Sequence, residues 1–307
     1  MKGIQMKTTI AVIAHSSKTF GGGLGQLREL LDEAGYPQPL WYEVAKSRQA
    51  PECAREAMAK GADLIYVWGG DGTVQRCIDA VAGAGATIAI LPAGTANLLA
   101  GNLGIPKDME AAVQIGLHGE RRPLDTGSIN GEHFAVMAGA GLDARTMKDA
   151  DAGLKDRIGR AAYLWTGAKN LNASPVSATI EVEGREFYRG KITCILVGNM
   201  SEVFSGIEVF SGSRPDDGLL ELGVITAKSR LQWARTVGRV VLGRTENSPF
   251  VVTSRGKSMK VIFAKKTGFE LDGGVRKPAK KLSIKVHPSS VTVCVPVPDT
   301  DAPSAKA

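Results

Sequence analysis

The stretch VWGGDGTVQRCIDAV, residues 67–81, decides the fold of the first part of the chain. It starts as the end of an apolar run and continues as a helical pattern, with apolar residues at three- and four-residue steps from Val74 to Val81. Glycines between a strand and a helix let the backbone approach a ligand closely, and the N–H groups at a helix start attract anions. The turn is therefore typical of a phosphate site.

Asp71 is the residue of this turn that needs an explanation, because a carboxylate repels phosphate. It either holds a bridging cation, accepts a proton from a hydroxyl about to be phosphorylated, or simply caps the following helix. Neither familiar phosphate motif resolves the choice. The chain has no P-loop pattern, and the glycines at 21–25 lack the third glycine of the dinucleotide fingerprint.

Segments on either side of the turn alternate between strand and helix patterns. Four short apolar runs, TTIAVIA, PLWYEV, ADLIYVW and ATIAILP, are separated by helical patterns between residues 8 and 118. Such alternation predicts a parallel sheet with right-handed crossovers, and sheets of this kind bind ligands at the carboxyl ends of their strands. Gly69 stands at one of these ends.

A second glycine loop follows the next strand pattern. In LPAGTANLLAGNLGIP, residues 91–106, Gly94, Thr95 and Asn97 come directly after an apolar run. Because neighbouring parallel strands end at the same edge, we expect the two Gly-Thr loops to form one polar cleft. Asn97 either bonds a ribose or phosphate oxygen there or serves only the turn itself.

The sequence pattern changes after residue 127. Period-2 and compact apolar runs, divided by Asn-Gly and Asp-Gly pairs, predict an antiparallel sheet or sandwich. Helical patterns interrupt it at 154–171 and 228–243. We therefore predict an α/β protein with a Rossmann-like, parallel-sheet domain followed by a mostly antiparallel β-sandwich domain. These domains would span residues 1–127 and 128–297, with the return of the last strand to the first domain left open and a disordered tail at 298–307.

Composition narrows the function classes. Hydrophobic residues make up 43% and charged residues 22% of the chain, as in ordinary globular proteins, and no apolar run reaches the roughly 20 residues of a membrane span. The four cysteines show no disulfide or zinc spacing, which favours buried reduced thiols. The apolar core near the N-terminus, about six residues long, suits a first strand better than a secretory signal, so we expect a cytoplasmic location. A net charge of +7 favours an anionic partner, but nucleic acid is not expected because interleaved aromatics and recognised modules are missing.

Six motifs follow one another along the chain: GGDGT (69–73), LPAGTANLLAGNLGIP (91–106), LDTG (124–127), NGEHFAVMAGAGLDA (130–144), DDGLLEL (216–222) and ELDGG (270–274). In this order they resemble the diacylglycerol kinase catalytic-domain family, which includes bacterial diacylglycerol kinases, sphingosine and ceramide kinases and, more distantly, NAD kinases. In that family a Rossmann-like domain and a β-sandwich enclose ATP and Mg²⁺, and the γ-phosphoryl group passes to a lipid hydroxyl. The resemblance covers about residues 8–297 and implies an ATP- and Mg²⁺-dependent lipid kinase.

The resemblance also implies roles for individual residues. Asp272 corresponds to a proposed general base, and Asp71 is the second catalytic candidate. A structural magnesium would bind at the turn of Asp216, Asp217 and Leu219. The residues expected to line the nucleotide are Gly69, Gly70, Gly72, Thr73, Gly94, Thr95, Asn97 and Asp125.

Four departures from the family pattern stand out. Residues 14–17, AHSS, replace an Asn-Pro start of the first loop, and Leu98 stands where many members have aspartate. FSGSRP, at 210–215, replaces a Pro-x-Ala signature. Gly274 removes the second carboxylate of the family's frequent Asp-Gly-Glu, so Asp272 would have to work without it.

Two helical patterns bear on the lipid acceptor. Residues 154–171 and 228–243 combine apolar stripes and tryptophan with several arginines, a pattern typical of helices on anionic lipid surfaces but equally of helices packed on their own sheet. We expect peripheral contact with the inner membrane face. Two alternatives to a lipid kinase stay open, an NAD kinase and a non-catalytic lipid- or nucleotide-binding protein of the same fold. A homodimer also stays open.

Overall fold

A computed structural model describes residues 8–141, 175–204, 207–241 and 248–298. The chain forms two compact units, one of Met1–Pro123 with Val291–Ala307 and the other of Leu124–Ser290. The sequence pattern placed a domain boundary after residue 127. No change of pattern marks Pro123, because one continuous strand runs through Glu120–Ile129.

The described residues form sixteen strands, numbered in chain order. They are β1 (Ile10–His15), β2 (Leu40–Val44), β3 (Leu64–Gly69), β4 (Thr87–Pro92), β5 (Glu120–Ile129), β6 (Glu132–Phe134), β7 (Met137–Ala140), β8 (Val176–Val182), β9 (Arg185–Ile192), β10 (Cys194–Gly198), β11 (Glu202–Phe204), β12 (Ile207–Glu208), β13 (Leu220–Ile225), β14 (Val251–Gly256), β15 (Ser258–Leu271) and β16 (Gly274–Val295). The described helices are α1 (Gly23–Glu33), α2 (Ala50–Ala59), α3 (Asp71–Val81), α4 (Leu98–Asn102), α5 (Met109–His118) and α6 (Arg230–Val241), with a 3₁₀ turn at Ser47–Gln49.

The first unit contains the predicted parallel sheet. Its strands lie in the order β4-β3-β1-β2, and the end of β16 adds a further parallel strand through Thr292 and Val293. Every residue of β1 and β3 is buried, which explains why both read as continuous apolar runs. The helical patterns form α1, α2 and α3, whereas α5 was not predicted from the sequence.

The second unit is built from antiparallel strands, which confirms the predicted fold class. One path runs β14-β13-β10-β7-β15-β16, and β8 with β9 joins it along the first part of β15. β15 pairs with β8 near its start and with β7 near its end, and its pairing with β16 shifts register between Ile262 and Phe269. A core of apolar side chains from these strands is almost entirely buried.

Two-residue turns connect three hairpins of the described residues, and two of these turns are the predicted Asn-Gly and Asp-Gly pairs. The residue pairs Asn130-Gly131, Glu183-Gly184 and Asp272-Gly273 have positive φ at both positions. Glycine, asparagine and aspartate tolerate this backbone, which gives the twist that antiparallel strands need. The hairpin closed by Asp272 and Gly273 joins β15 to β16.

The helix predicted at 228–243 is α6, and it packs on its own unit. Trp233 lies in a cluster with Cys194, Ile225 and Ala227, while Leu231 is 63% exposed. The other basic pattern, at 154–171, lies outside the described residues. Within the described part of the chain, no helix has the length and hydropathy of a membrane span.

Candidate active site

The GGDGT turn lies where the sequence placed it, at the carboxyl end of β3. Gly70 is the N-cap of α3, and Asp71 is the first residue of the helix. Gly69 is paired with Pro92, the last residue of β4, so the second glycine loop starts at the same edge of the sheet. The structure therefore brings the two loops together within the first unit.

Close backbone contact joins the two loops at Gly70 and Gly94. A Cβ added to Gly94 would lie 2.5 Å from the Cα of Gly70, and one added to Gly70 would lie 3.1 Å from the Cα of Gly94. No side chain fits at either position without moving a backbone. The glycines are thus required by the approach of one loop to the other.

Asp71 does not cap its own helix, so that interpretation is wrong. Its carboxylate instead accepts hydrogen bonds from the second loop, from the N–H of Asn97 at 2.9 Å and the N–H of Leu98 at 2.5 Å. These N–H groups stand at the start of α4, whose N-cap residue makes no side-chain cap of its own. Asp71 therefore caps the neighbouring helix and ties the two loops together.

Asn97 holds the second loop in shape. Its Oδ1 accepts the N–H of Gly94 at 2.9 Å, and its Nδ2 donates to the carbonyls of Gly94 at 2.7 Å and Pro92 at 3.2 Å. The residue is buried with φ of 49°. These contacts are turn chemistry, and a role for the Asn97 side chain in binding nucleotide stays a prediction.

The exposed part of the second loop is Thr95. Lys107, which the sequence analysis did not single out, donates from Nζ to the Thr95 carbonyl at 3.1 Å and adds positive charge beside the loop. Both residues are exposed. The N–H groups of Gly94, Asn97 and Leu98 are engaged within the two loops, so the group that this loop offers to a bound phosphate is the nearby ammonium group of Lys107.

Thr73 is a buried residue that supports the GGDGT turn. Its side chain is 1% exposed, and its Oγ1 lies 3.0 Å from the Oγ of Ser47 in the 3₁₀ turn. A Cβ on Gly69 would lie 2.6 Å from the Cβ of Thr73, so glycine is needed here too. The expected contact of Thr73 with phosphate is untested.

The first loop, where the sequence departs from the family pattern, is built around His15 and Trp68. The Nδ1 of His15 lies 3.1 Å from the Oγ of Ser17, and burial, with a smaller effect of the charge of Lys18, lowers the pKa of the ring. The Nε1 of Trp68 donates to the carbonyl of Lys18 at 3.2 Å. These side-chain contacts hold the first loop beside the end of β3.

In the second unit, Asp272 is buried in the β15–β16 turn and is 4% exposed. Its Oδ2 accepts the N–H of Ala135 at 2.8 Å, and its Oδ1 accepts the N–H groups of Val136 and Met137, both at 2.9 Å. Three N–H donors stabilise the carboxylate anion and fix the start of β7. Asp272 is therefore an anchor of the hairpin as well as the predicted general base.

Glu270 is a second carboxyl group in the same hairpin, and it was not among the predicted site residues. It is 9% exposed, and its Oε2 accepts the N–H of Gly273 at 2.6 Å. Burial raises the pKa of Glu270 to about 7, and the charge of Asp272 adds to the increase, while the Gly273 N–H and Arg276 oppose it. The signal in the sequence is a glutamate between two apolar residues, Phe269 and Leu271.

Asp125, expected at the nucleotide, lies in the second unit and binds backbone. Its Oδ2 accepts the N–H of Gly218 at 2.7 Å and its Oδ1 that of Ser289 at 2.8 Å. Asn199, another residue that the sequence analysis missed, donates from Nδ2 to the carbonyls of Asp125 and Ala135, both at 2.8 Å. One buried amide therefore links Asp125 to the segment that binds Asp272.

The turn expected to bind magnesium is exposed. Asp216 forms an ion pair with Arg214, and Asp217 accepts the N–H of Leu219 at 3.0 Å. Carboxylate and carbonyl oxygens are the ligand type that Mg²⁺ prefers. However, the described residues include no group of three His, Cys, Asp or Glu placed to hold a metal ion. Magnesium at this turn stays a prediction.

Comparisons with known proteins place the chain in a family. Residues 11–129 match the model of the diacylglycerol kinase catalytic domain, and residues 136–295 match that of the YegS C-terminal NAD kinase beta sandwich-like domain. The chain belongs to the diacylglycerol kinase family. Family membership confirms the resemblance that the ordered motifs predict.

Named members of the diacylglycerol kinase family align over most of the chain. A "Probable lipid kinase YegS-like" of Pseudomonas aeruginosa (strain UCBPP-PA14) is 32% identical over 80% of this chain and 81% of its own length. The "Diacylglycerol kinase" of Bacillus subtilis (strain 168) is 28% identical over 81% of this chain and 83% of its own length. A crystal structure of a diacylglycerol kinase from Bacillus anthracis str. Sterne has the same fold, with a TM-score of 0.75 at 23% identity, covering 94% of this chain and 96% of that one.

Proposed function

We propose that this protein is an ATP-dependent lipid kinase that transfers the γ-phosphoryl group of ATP to the hydroxyl of diacylglycerol or a related lipid alcohol. The observation that carries the proposal is the pair of glycine loops, held in backbone contact at Gly70 and Gly94 beside the N-terminus of α3. Membership of the diacylglycerol kinase family supports the same reaction class.

The glycine loops are suited to a triphosphate. At the start of α3 the N–H groups of Thr73 and Val74 donate to the carbonyl of Gly70, and the helix dipole favours negative charge at this end. Because Gly70 and Gly94 carry no side chain, the two loops approach each other closely and bring both backbones to one place at the edge of the sheet. We assign phosphate binding to the backbone of Gly69–Gly72 and of Gly94–Thr95, with Lys107 as a nearby cation.

Asp71 acts in this proposal through the loop that it holds. Both of its oxygens bind N–H groups of the second loop, so its charge is directed to Asn97 and Leu98. We therefore propose Asp71 as a positioning residue for the nucleotide loops. Magnesium, when bound with ATP, would offset the charge of the phosphates.

The proton of the acceptor hydroxyl must go to a carboxylate, and we assign this step to the β15–β16 hairpin. Asp272 and Glu270 both lie there, in a largely dry environment. The lipid alcohol also requires contact with a membrane surface, for which we propose peripheral binding at the inner face. The net charge of +7 supports an anionic surface.

Labelled ATP tests the proposal directly. The protein is incubated with [γ-³²P]ATP, Mg²⁺ and mixed micelles that contain diacylglycerol, ceramide, sphingosine or monoacylglycerol, and the organic extract is counted. Label in one lipid alcohol, dependent on the protein, is the expected result. A parallel reaction with NAD distinguishes the alternatives: NADP formation without labelled lipid would indicate an NAD kinase, and ATP binding without either product would indicate a non-catalytic protein.

A further inference from the structure

The β15–β16 hairpin contains two carboxyl groups with different surroundings. Asp272 has both oxygens engaged by backbone N–H groups, from Ala135, Val136 and Met137. Glu270 has one oxygen engaged, Oε2, by the N–H of Gly273. No hydrogen bond from a described residue reaches its Oε1.

Space for the Glu270 carboxyl group is provided by Gly139 on the paired strand β7. Glu270 is directly opposite Gly139, and a Cβ added to that glycine would lie 3.0 Å from Oε1. Any other residue at 139 would push the carboxyl group away. The ionisable side chain of this buried strand position fits only because its neighbour is glycine. Such an arrangement indicates a functional residue rather than one that merely fills the core.

The charged groups around Glu270 belong to its own hairpin. Asp272 and Arg276 act on it, and the adjoining strand β7 carries no titratable side chain. Arg276 is directed elsewhere, because its guanidinium forms an ion pair with Glu132. Arg276 therefore offsets the burial of the Glu270 charge only in part, and the remaining penalty is costly for a purely structural buried carboxylate.

We propose that Glu270, rather than Asp272, accepts the hydroxyl proton in the phosphoryl transfer proposed above, and that Asp272 serves as the fixed anion that orders the turn. This inference rests on the proposed lipid kinase function. It also places a carboxyl group opposite Val275, one residue from the position where Gly274 lacks one.

The proposed step transfers the γ-phosphoryl group from ATP to the lipid hydroxyl. The lipid oxygen forms a bond to the γ-phosphorus of ATP, and the bond from that phosphorus to the β,γ-bridging oxygen breaks. The bridging oxygen keeps the electron pair and leaves as part of ADP. The hydroxyl proton passes to Oε1 of ionised Glu270, which then releases it to water.

The test compares Glu270→Gln with wild type in the labelled-ATP assay, over a pH series. Glutamine keeps the shape and the bond to Gly273 but accepts no proton. We expect kcat to fall by about 100-fold or more, with unchanged affinity for ATP, because general-base catalysis contributes about 10²–10⁴ in rate. Wild-type kcat should rise through pH 7, where the Glu270 carboxyl group ionises, and the residual rate of the variant should lack this rise.

Two further variants complete the test. Gly139→Ala moves the Glu270 carboxyl group without changing its chemistry and should lower kcat. Glu186→Gln, at an exposed position of β9, is the matched control and should behave as wild type. Thermal melting checks that each variant is folded.

Each outcome decides between the proposals. Labelled lipid from Glu270→Gln at the wild-type rate, with an unchanged pH profile, would overturn the role of Glu270 and leave the kinase proposal standing. No labelled lipid from wild type with any acceptor would overturn the kinase proposal, and the role of Glu270 would fall with it.

Discussion

Replacing Glu270 by glutamine should stabilise the protein above neutral pH. Glu270 is buried, and the pKa of its carboxyl group in the folded chain is about 7, compared with 4.5 as the reference value. Because each pKa unit corresponds to about 1.4 kcal/mol, ionising Glu270 in the folded protein costs about 3 kcal/mol relative to the unfolded chain. Glutamine avoids this cost and retains an oxygen for the N–H of Gly273.

The sign depends on pH in a defined way. Below pH 4.5 Glu270 is protonated in both states, so wild type and variant should be similar in stability. As the pH rises from 4.5 to about 7, the unfolded chain ionises while the folded chain keeps its proton, and the wild type loses stability. Above pH 7 the full difference remains.

Thermal unfolding followed by circular dichroism measures the effect. A difference of about 3 kcal/mol corresponds to a midpoint roughly 6–12 °C higher for Glu270→Gln in the transition of the second unit at about pH 8. The difference should shrink towards about pH 5. The control Glu186→Gln, whose carboxyl group has a pKa lowered by its hydrogen bond to Arg189, should show no such trend. A difference between wild type and Glu270→Gln that stays constant from about pH 5 to pH 8 would refute the reasoning.

Three further predictions follow from contacts in the two units. Gly94→Ala should abolish ATP binding, since its Cβ would lie 2.5 Å from the Cα of Gly70, and equilibrium binding of a fluorescent ATP analogue checks this. Asp71→Asn should lower the free energy of unfolding by about 1–2 kcal/mol and raise the KM for ATP, because its amide NH2 group would face an N–H donor of the second loop. Urea denaturation measures the first effect, and kinetics at varied ATP concentration measure the second. Arg276→Met should raise the pKa of Glu270 further, because Arg276 opposes its increase, and the rise of kcat should move to higher pH, whereas an unchanged profile would contradict this electrostatic link.

Local signals in the sequence were enough to predict the loop architecture. The buried strands β1, β3 and β4 appear in the sequence as apolar runs, and the glycines after β3 predict the turn between that strand and the next helix. Parallel pairing then placed Gly69 and Pro92 at one edge. Each of these features depends on residues close together in the chain or on a general rule of sheet topology.

Contacts between distant residues could not be predicted in this way. Asp71 was readable as a cap of its own helix, but its partners are Asn97 and Leu98. The Asp-Gly turn at Asp272 was predictable, whereas the three N–H donors lie more than 130 residues earlier in the chain. Such bonds depend on how strands pair across the fold, which a turn signal does not contain.

Glu270 was missed because strand patterns treat a glutamate as an exposed residue. Its burial follows from the position of β15 between β7 and β16 and from the glycine at 139. The motif ELDGG directed attention to Asp272 and to the absent carboxylate at Gly274. The carboxyl group two residues before Asp272 became visible only with the packing.

Transfer of ³²P from ATP to a lipid alcohol, measured together for wild type, Glu270→Gln and Glu186→Gln, tests the central claim most directly. We predict labelled lipid from wild type and from Glu186→Gln at similar rates. The rate of Glu270→Gln should be lower by about 100-fold or more. Labelled NADP in place of labelled lipid, or equal rates from all three proteins, would contradict the account.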